Sequence, residues 1–299
     1  MKILVIGSEG NIGRALVAHL RKRGHFVIRS DIKPMHAADY YQADIVHPGD
    51  LLEAFSIHRF EVVYNLAAMV SRVTCEKSPH MAIDRNLCGV NNVIQLAKKY
   101  SAKLIVFSTS EVYGNHEEIL SEDSTTLMPN NRYGLSKKLS ELMTQYEAEN
   151  CGLDAVIVRP FMFYSEDEDR GPHRSAMIRF AEVLWDGGMV DVHRDSWRSW
   201  MHMDDAVEAL ERVAHLDRFE IINIGNNEVV ATSDIAKMYC DLYKIDYSDH
   251  VREVELPDKM TLIKIPNLEK QRRVLNFEPT VSIAEGVKRV AVRVMRNGA

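Results

Sequence analysis

The sequence predicts an α/β protein built on a doubly wound parallel sheet, with a second and smaller C-terminal lobe. Short apolar runs rich in β-branched residues alternate with longer amphipathic stretches, which is typical of βαβ units. The runs are continuously apolar, as expected for strands covered by helices on both faces. At 299 residues the chain exceeds the usual size of one hydrophobic core, so two lobes are expected.

Five runs in the first half are predicted as strands, because each is a short apolar run that contains β-branched residues. They are Lys2 to Ile6, Phe26 to Ser30, Glu61 to Leu66, Leu104 to Ser108 and Ala155 to Arg159. The stretches between them have apolar residues at helical spacing and are predicted as helices. They are Asn11 to Arg23, Leu51 to Ser56, Met81 to Tyr100 and Arg132 to Asn150.

The regular alternation ends after Pro160. The charged stretch from Ser165 to Ser175 contains Gly171 and Pro172 and is predicted as an exposed loop. We therefore expect a first domain over residues 1–164 and a second over 165–299. The apolar run at 219–224 is expected to return to the sheet of the first domain.

Composition excludes several function classes. The net charge of −6 and the isoelectric point near 6.1 leave no basic surface for a nucleic acid. No apolar run approaches the roughly 20 residues of a membrane span, so no membrane partner is expected. The N-terminus enters a strand at once, which predicts a cytoplasmic protein without a secretory signal. The isolated cysteines predict neither disulfides nor a bound metal: Cys75, Cys88, Cys151 and Cys240.

A glycine-rich turn joins the first predicted strand to the first helix. Gly7, Gly10 and Gly13 have the spacing G-x-x-G-x-x-G. Such a turn lets the backbone approach a pyrophosphate, and the following helix N-terminus supplies free N–H groups. The alternative is a tight turn without a ligand. The strand before it and the helix after it favour a Rossmann-type dinucleotide site.

Asp31 ends the second predicted strand, 18 residues beyond Gly13. An acidic residue about 20 residues after the glycines hydrogen-bonds the adenosine ribose and repels a 2′-phosphate. The expected cofactor is therefore NAD rather than NADP. Arg29 and Lys33 lie nearby and could offset this repulsion, and Asp31 could also be a solvated residue at a strand end.

Tyr133 and Lys137 lie four residues apart and so on one face of a predicted helix. A cation one turn away is expected to lower the pKa of a phenol that acts as a base. This pair is common by chance on helices. It gains weight from Ser108 to Gly114, which follows a predicted central strand at the sheet edge where ligands bind.

These motifs together resemble the extended short-chain dehydrogenase/reductase family, in the group of NAD-dependent nucleotide-sugar epimerases, dehydratases and decarboxylases. The resemblance covers nearly the whole chain. It rests on the glycine turn, Asn65 to Ala68, Ser108 to Gly114, Tyr133 to Lys137, Arg159 to Phe161, Met201 to Asp205, Asn223 to Gly225 and Phe277 to Pro279.

The resemblance implies a catalytic triad of Thr109, Tyr133 and Lys137 that oxidises a sugar at C4. It implies substrate contacts at Ser110, Arg174 and Arg198, the last beside the diphosphate. It also makes His202, Asp204 and Asp205 structural residues rather than metal ligands. The positions it assigns to NAD are Gly7, Gly10, Asn11, Ile12, Gly13, Asp31, Asp44, Ile45, Leu66, Ala67, Ala68, Asn86, Ser108, Tyr133, Lys137 and Pro160.

Glu111 bears on the step after C4 oxidation. Dehydratases and decarboxylases that the chain resembles have a carboxylate here, where it can move the proton on C5. Two departures oppose these assignments: Met162 replaces a usual asparagine, and Lys264 replaces an arginine of decarboxylases. We therefore expect an epimerase, with a 4,6-dehydratase or decarboxylase as alternative. Glu111 would then be an acid/base, unless it only accepts backbone N–H groups.

Two further functions stay open. A dinucleotide sensor without catalysis would normally lack Tyr133 or Lys137, and a net reductase would consume NADH. The family also forms two-fold dimers through two helices. We expect a homodimer that uses apolar positions on the stretches 81–100 and 132–150, namely Leu87, Val90, Ile94, Leu139 and Met143.

Overall fold

The computed structural model describes residues 1–169, 171 and 175–297. Its strands are β1 (Lys2–Ile6), β2 (Phe26–Asp31), β3 (Tyr40–Gln42), β4 (Val62–Asn65), β5 (Lys103–Phe107), β6 (Ala155–Pro160), β7 (Phe163–Tyr164), β8 (Val190–His193), β9 (Trp197–Ser199), β10 (Met201–His202), β11 (Glu220–Ile224), β12 (Val229–Ala231), β13 (Val251–Val254) and β14 (Ile263–Lys264).

The helices are α1 (Asn11–Lys22), α2 (Pro48–His58), α3 (Arg72–Lys77), α4 (Pro79–Ile83), α5 (Val90–Tyr100), α6 (Arg132–Asn150), α7 (Ala176–Trp185), α8 (Met203–Val213), α9 (Thr232–Tyr243), α10 (Tyr247–His250), α11 (Glu269–Leu275) and α12 (Ile283–Asn297). A π-helix covers Asp84–Gly89 and a 3₁₀-helix covers Ser110–Val112. No helix in the described part of the chain is both long and apolar enough to cross a membrane.

The central sheet has seven strands in the order β11-β6-β5-β4-β1-β2-β3. The pairs from β6 to β3 are parallel, with Leu4 opposite Ile28 on one side and Val63 on the other. Chain order runs outward from β1 in both directions, which is the doubly wound Rossmann arrangement. The predicted fold class is confirmed.

The described chain divides into two compact units. The first contains residues 1–114, 125–160 and 207–223, and the second contains residues 115–124, 161–206 and 224–299. The run at 219–224 forms β11 beside β6. The core of the first unit is made by buried aliphatic residues of the sheet and α5, including Leu4, Val63 and Leu104. In the second unit α7, α9 and α12 bury Met177, Tyr239 and Val290.

The stretch predicted as one helix over 81–100 is interrupted by the π-helix. Single π turns inside helices commonly occur at functional sites. Here the turn contains Asn86, which is fully buried and donates to the carbonyl of Met69 at 3.1 Å and to the Ser136 hydroxyl at 2.9 Å. The wider turn therefore places a polar side chain among three chain segments.

The residues expected at a dimer interface differ in exposure. Val90 and Ile94 lie in the core of the first unit, so their assignment to an interface is wrong. They are buried because α5 packs its apolar face on the sheet. Leu87 and Leu139 are half-buried, and Met143 is 36% exposed.

Candidate active site

The glycine turn connects β1 to α1 with a tightly packed backbone. Gly7 has φ +81°, and a Cβ there would lie 2.8 Å from the amide nitrogen of Ala67. A Cβ on Gly13 would lie 2.2 Å from the carbonyl oxygen of Gly7. Only glycine fits at these two positions. Gly10 precedes α1 without a side-chain cap, and the first turn of such a helix is suited to hold a phosphate through its backbone N–H groups.

Asp31 ends β2 and holds the glycine turn. One carboxylate oxygen accepts from the backbone N–H of Glu9 at 3.0 Å, and the other accepts from that of Lys33 at 3.2 Å. The two nearby cations are engaged elsewhere. Arg29 pairs with Asp39 at 3.0 Å and with Glu9 at 3.2 Å, and the Lys33 ammonium donates to the Glu9 carbonyl. Neither cation is therefore paired with Asp31 itself.

Two more of the predicted cofactor positions follow β3. Asp44 accepts from the backbone N–H of Val46 at 3.1 Å, and Ile45 is buried. The Asn92 side chain donates to the Ile45 carbonyl at 2.9 Å. These hydrogen bonds fix the backbone of the segment after β3.

Leu66, Ala67 and Ala68 follow the C-terminal end of β4 and are half-buried. Asn86 was expected to line the nicotinamide side. Its side-chain oxygen accepts from the N–H of Met69 at 2.8 Å, and its amide nitrogen is bound as described above. Asn86 therefore positions backbone, and this residue type is needed because both ends of the amide are used.

Thr109 follows β5 at the same sheet edge. Its backbone is extended and its hydroxyl oxygen accepts from the N–H of Glu111 at 3.2 Å. This cap starts the 3₁₀-helix over Ser110–Val112. The Ser108 hydroxyl just before it is buried without a hydrogen-bond partner among the described residues. A buried unpartnered hydroxyl at a strand end marks a place where a ligand can bind.

Tyr133 and Lys137 lie on the first turns of α6, which Asn131 caps by accepting from the N–H of Gly134 at 2.8 Å. Tyr133 packs against the small cluster of Met69, Cys75 and Ala82, and an interaction of its hydroxyl with the Thr109 side chain lowers its pKa. The structure thus brings Thr109 and Tyr133 together, as the resemblance implied.

Lys137 is buried and donates to the carbonyl oxygen of Phe107 at 2.6 Å. Burial lowers its pKa to about 8, against an opposing effect of Glu141. The ammonium thus lies at the end of β5, one turn from Tyr133.

The pKa of Tyr133 is raised, which is the opposite of the direction expected from a nearby lysine. Burial is the largest cause. The hydrogen bond with Thr109 lowers this pKa, while the charge of Glu111 raises it. The expectation was wrong because burial outweighs the effect of nearby charges, and the Glu111 carboxylate raises the pKa further.

Glu111 is buried beside this pair. One of its oxygens accepts from the Asn131 side chain at 2.9 Å, and the other lies 3.5 Å from the Arg72 guanidinium. The arrangement combines a threonine hydroxyl, a phenol, an ammonium and a carboxylate at the C-terminal edge of the sheet. It can remove a proton from a hydroxyl group and move a second proton nearby.

Comparison with known proteins agrees with this geometry. A family model described as the NAD-dependent epimerase/dehydratase family matches residues 3–225. The chain belongs to this family. The resemblance inferred from the sequence motifs is confirmed, and NAD is the cofactor of the family.

Two relatives have different activities. The chain is 31% identical to a UDP-N-acetyl-alpha-D-glucosaminuronate decarboxylase of Bacillus cytotoxicus, over 96% of this chain and 95% of the relative. It is 26% identical to a UDP-glucuronate 4-epimerase of Thermodesulfobacterium geofontis, over 96% and 94%. Membership of the epimerase/dehydratase family supports an enzyme, and the type of reaction differs among its members.

Solved structures share the fold. A Thermus thermophilus UDP-glucose 4-epimerase in complex with NAD has a TM-score of 0.89 at 22% identity, with 100% of both chains covered. The dTDP-glucose 4,6-dehydratase DesIV of Streptomyces venezuelae has a TM-score of 0.87 at 24% identity, covering 99% of this chain and 98% of that one. At these identities they show the architecture of the epimerase/dehydratase family.

The other residues predicted to bind the cofactor or the substrate lie outside the group formed by Thr109, Glu111, Tyr133 and Lys137. Pro160 ends β6. In the second unit, Arg198 on β9 donates to the backbone carbonyls of Trp197, Thr261 and Leu262. A diphosphate contact would require Arg198 to exchange some of these bonds. Arg174 lies outside the described residues.

The histidine and acids of the second unit take part in protein contacts. His202 binds Glu166 at 2.9 Å, and Asp205 accepts from Thr280 at 2.9 Å. Among the described residues, His19, Glu208 and Glu211 have spacing that suits a cation. Arg23 and Arg212 already pair with these two carboxylates, which makes the group a network of ion pairs.

Sequence reasoning missed Arg72 and Asn131. Arg72 begins α3, seven residues after β4, and Asn131 precedes Tyr133. Asn131 carries a local signal, since asparagine is a preferred N-cap. Arg72 carries none, because its contact with Glu111 joins segments 39 residues apart.

Proposed function

We propose that this chain is an NAD-dependent enzyme that oxidises a nucleotide-diphosphate sugar at C4 and then moves the proton on C5. The C4 step would use Thr109, Tyr133 and Lys137, and the C5 step would use Glu111. The observation that carries the proposal is the burial of the Glu111 carboxylate next to Thr109, where its charge acts on the Tyr133 phenol.

In the C4 step the Tyr133 oxygen accepts the proton of the sugar hydroxyl. Thr109 donates to the same sugar oxygen and so orients it against the phenol. The half-buried Tyr133 phenol must lose its own proton before it can act as a base, and the Lys137 ammonium is a cation on the same helix face. Lys137 keeps that charge in place through its bond with the Phe107 carbonyl.

The glycine turn and Asp31 fit the cofactor of the family. The N–H groups at the start of α1 would hold the pyrophosphate, and the Asp31 carboxylate would accept from the adenosine ribose. When bound there, NAD would supply the hydride acceptor for oxidation at C4 and a hydride donor for a later reduction. Ser108, Leu66, Ala67 and Ala68 would border it at the ends of β4 and β5.

A ketone at C4 makes the neighbouring C5 proton acidic, so a carboxylate can remove it and a carboxylic acid can return it. The Glu111 charge raises the pKa of Tyr133 and so opposes the C4 step. A plain 4-epimerase has no second proton to move and would gain nothing from such a charge. This argument supports Glu111 as an acid/base and favours the dehydratase or decarboxylase alternative.

Ser110, Arg174 and Arg198 remain the proposed substrate contacts. The names of the two relatives both specify UDP-linked uronic acids. A uronic acid oxidised at C4 is a β-keto acid, which loses carbon dioxide readily. UDP-glucuronate and its N-acetylamino counterpart are therefore the first substrates to test.

The experiment is incubation of the purified holoenzyme with UDP-glucose, UDP-glucuronate and UDP-N-acetylglucosaminuronate in deuterium oxide. We expect one of them to lose water or carbon dioxide and to carry deuterium at C5. Mass spectrometry reads the loss and NMR reads the position. An unchanged mass without deuterium at C5 would contradict the proposal.

Two variants separate the steps. Tyr133→Phe should lower turnover by about 10²- to 10⁴-fold, because it removes the base of the first step. Glu111→Gln should abolish deuterium entry at C5 while NAD reduction stays measurable at 340 nm. Turnover near the wild-type value in Tyr133→Phe would contradict the assigned base.

The second candidate is a plain 4-epimerase, the function expected from Met162 and Lys264. Met162 has φ +44° and packs its side chain into the core of the second unit. Its thioether side chain offers no amide to a sugar, unlike the asparagine that it replaces. Inversion at C4 in the deuterium experiment, with an unlabelled C5, would favour this function.

We also propose a homodimer. Leu135, Leu142 and Tyr146 are exposed along α6, with half-buried Leu139 between them. Their spacing forms one apolar stripe. Light scattering at micromolar concentration should give twice the mass of the chain, and Leu142→Glu should give the monomer. A monomeric wild type would contradict it.

A further inference from the structure

Arg72 is a cation next to the proposed active site, and the C4 and C5 steps leave it without a role. Its guanidinium lies 3.5 Å from one oxygen of Glu111, whose other oxygen accepts from Asn131. The side chain of Glu111 is 8% exposed, and that of Arg72 is 34% exposed. The carboxylate is therefore enclosed, while its partner reaches solvent.

The segment that carries Arg72 is fixed by bonds at both ends. Ser71 caps α3 by accepting from the N–H of Thr74 at 3.2 Å. At the other end, Glu76 accepts from the backbone N–H of Arg132 at 2.9 Å, and its carbonyl accepts from the Arg132 guanidinium at 2.6 Å. These bonds attach α3 to the start of α6, one residue before Tyr133. The position of Arg72 relative to the catalytic helix is thus set.

The titratable groups around Tyr133 have opposing effects on its pKa. From α3, Cys75 raises its pKa and Arg72 lowers it, while Glu111 on the 3₁₀-helix raises it. Lys137 on α6 is bound to the Phe107 carbonyl. A buried carboxylate without a cation would both cost free energy and hold back ionisation of the phenol.

We propose that Arg72 is a positioning residue that keeps Glu111 as an oriented carboxylate and offsets its charge beside Tyr133. It lets one site contain both a phenol that must ionise and a carboxylate that must take a proton. The inference rests on the proposed roles of Tyr133 and Glu111. Arg72 itself touches neither the sugar nor the cofactor in this scheme.

The test follows the ionisation of the phenol directly. A fluorinated tyrosine with a lowered intrinsic pKa is placed at position 133 of the NAD-loaded protein and titrated by fluorine NMR. In Arg72→Gln the titration midpoint should move to higher pH, because the Glu111 charge is no longer offset. Arg72→Lys keeps the charge and should restore most of the wild-type midpoint.

The decisive comparison adds Glu111→Gln. In that background Arg72→Gln should no longer raise the midpoint, since no carboxylate charge is left to offset. A residue that only stabilised α3 would act equally in both backgrounds. An equal shift in both, or no shift in either, would overturn the proposal. Circular dichroism confirms that each variant is folded.

The fluorine titration needs no substrate, so it is independent of the proposed reaction. If no sugar in the panel is converted, the proposed function fails while the Arg72 result still stands. With a converted sugar, Arg72→Gln should also lower kcat at neutral pH on the order of tenfold, by the factor that one pKa unit represents. It should leave KM nearly unchanged, because Arg72 does not contact substrate.

Discussion

Two acid–arginine pairs of the first unit differ in how completely each is enclosed. Glu141 on α6 and Arg159 on β6 form two hydrogen bonds of 2.9 and 2.7 Å, and both side chains are 3% exposed. Glu111 and Arg72 share one contact of 3.5 Å, and only the acid is enclosed. The first pair has saturated geometry, whereas the second leaves its carboxylate able to exchange a proton.

The surroundings reinforce this difference. Arg159 also donates to the Tyr113 hydroxyl at 2.9 Å, and that hydroxyl donates to Asn223 at 2.7 Å. This network joins α6, β6 and β11. The Glu111 charge instead raises the pKa of the Tyr133 phenol and so opposes its ionisation. A buried ion pair whose groups are all hydrogen-bonded is structural. A pair that reaches solvent and lies beside groups with opposing effects on pKa is suited to chemistry.

Breaking the enclosed pair should have the largest effect on stability. Glu141→Gln removes one charge and leaves the Arg159 guanidinium buried without its carboxylate, which costs about 3–5 kcal/mol. Chemical denaturation read by circular dichroism measures this loss. Asp154→Asn, which removes an exposed acid that pairs with Lys103 at 3.7 Å, is the control and should change stability little.

A change smaller than about 1 kcal/mol in Glu141→Gln would mean that the enclosed pair is not structural.

Asp31 offers a test of a carboxylate that binds backbone. Asp31→Ala removes the acceptors of the Glu9 and Lys33 N–H groups and the proposed ribose partner. We expect the preference for NAD over NADP to fall about tenfold, by roughly 1.4 kcal/mol. Titration calorimetry with both cofactors measures it. Equal affinity of the wild type for the two would contradict the role of Asp31.

Glu111→Gln makes the same acid-to-amide substitution in the Glu111–Arg72 pair. Its effect on stability can therefore be compared directly with that of Glu141→Gln. The side chain keeps its shape, Asn131 has an oxygen to donate to, and Arg72 reaches solvent. The free energy of unfolding should therefore change by less than about 1 kcal/mol. A loss as large as that of Glu141→Gln would place both pairs in the structural class.

The half-buried pair Arg29–Asp39 should have the smallest effect. The hydrogen bond with Arg29 lowers the pKa of Asp39 to about 2. Because the folded pKa lies below the unfolded one, this stability is present above pH 4 and is lost as pH falls toward 2. Solvent screening keeps it under about 1 kcal/mol.

Asp39→Asn should accordingly lower the stability slightly at pH 6 and hardly at all at pH 2, as measured by thermal melts at both values. An equal effect at both would show that charge pairing of Asp39 with Arg29 and Arg21 is not the cause.

Local patterns in the sequence predicted much of the fold and part of the site. The alternation of apolar runs and helical stretches gave the sheet, and glycine spacing gave the turn before α1. Tyr133 and Lys137 were found because their four-residue spacing is a helical signal. Strand β3 was missed, since three residues at a sheet edge carry no pattern of their own.

Contacts between distant segments were not predictable in the same way. The pairing of Arg72 with Glu111 depends on how α3 packs against α6, which no local spacing encodes. The raised pKa of Tyr133 follows from burial on Met69 and Cys75, segments far from it in the chain. The family resemblance placed Arg198 beside the diphosphate, and it gave no sign that the guanidinium donates to three backbone carbonyls.

The Asn86 side-chain amide also bears on local opening of the structure around Met69 and Ser136. It holds the backbone of Met69 through two bonds and the Ser136 hydroxyl through a third. The segment after β4, the π-helix and the start of α6 are therefore linked through this one side chain. Their backbone amides should exchange with solvent deuterium at one common rate, as a single cooperative unit rather than as a loop fraying from a helix.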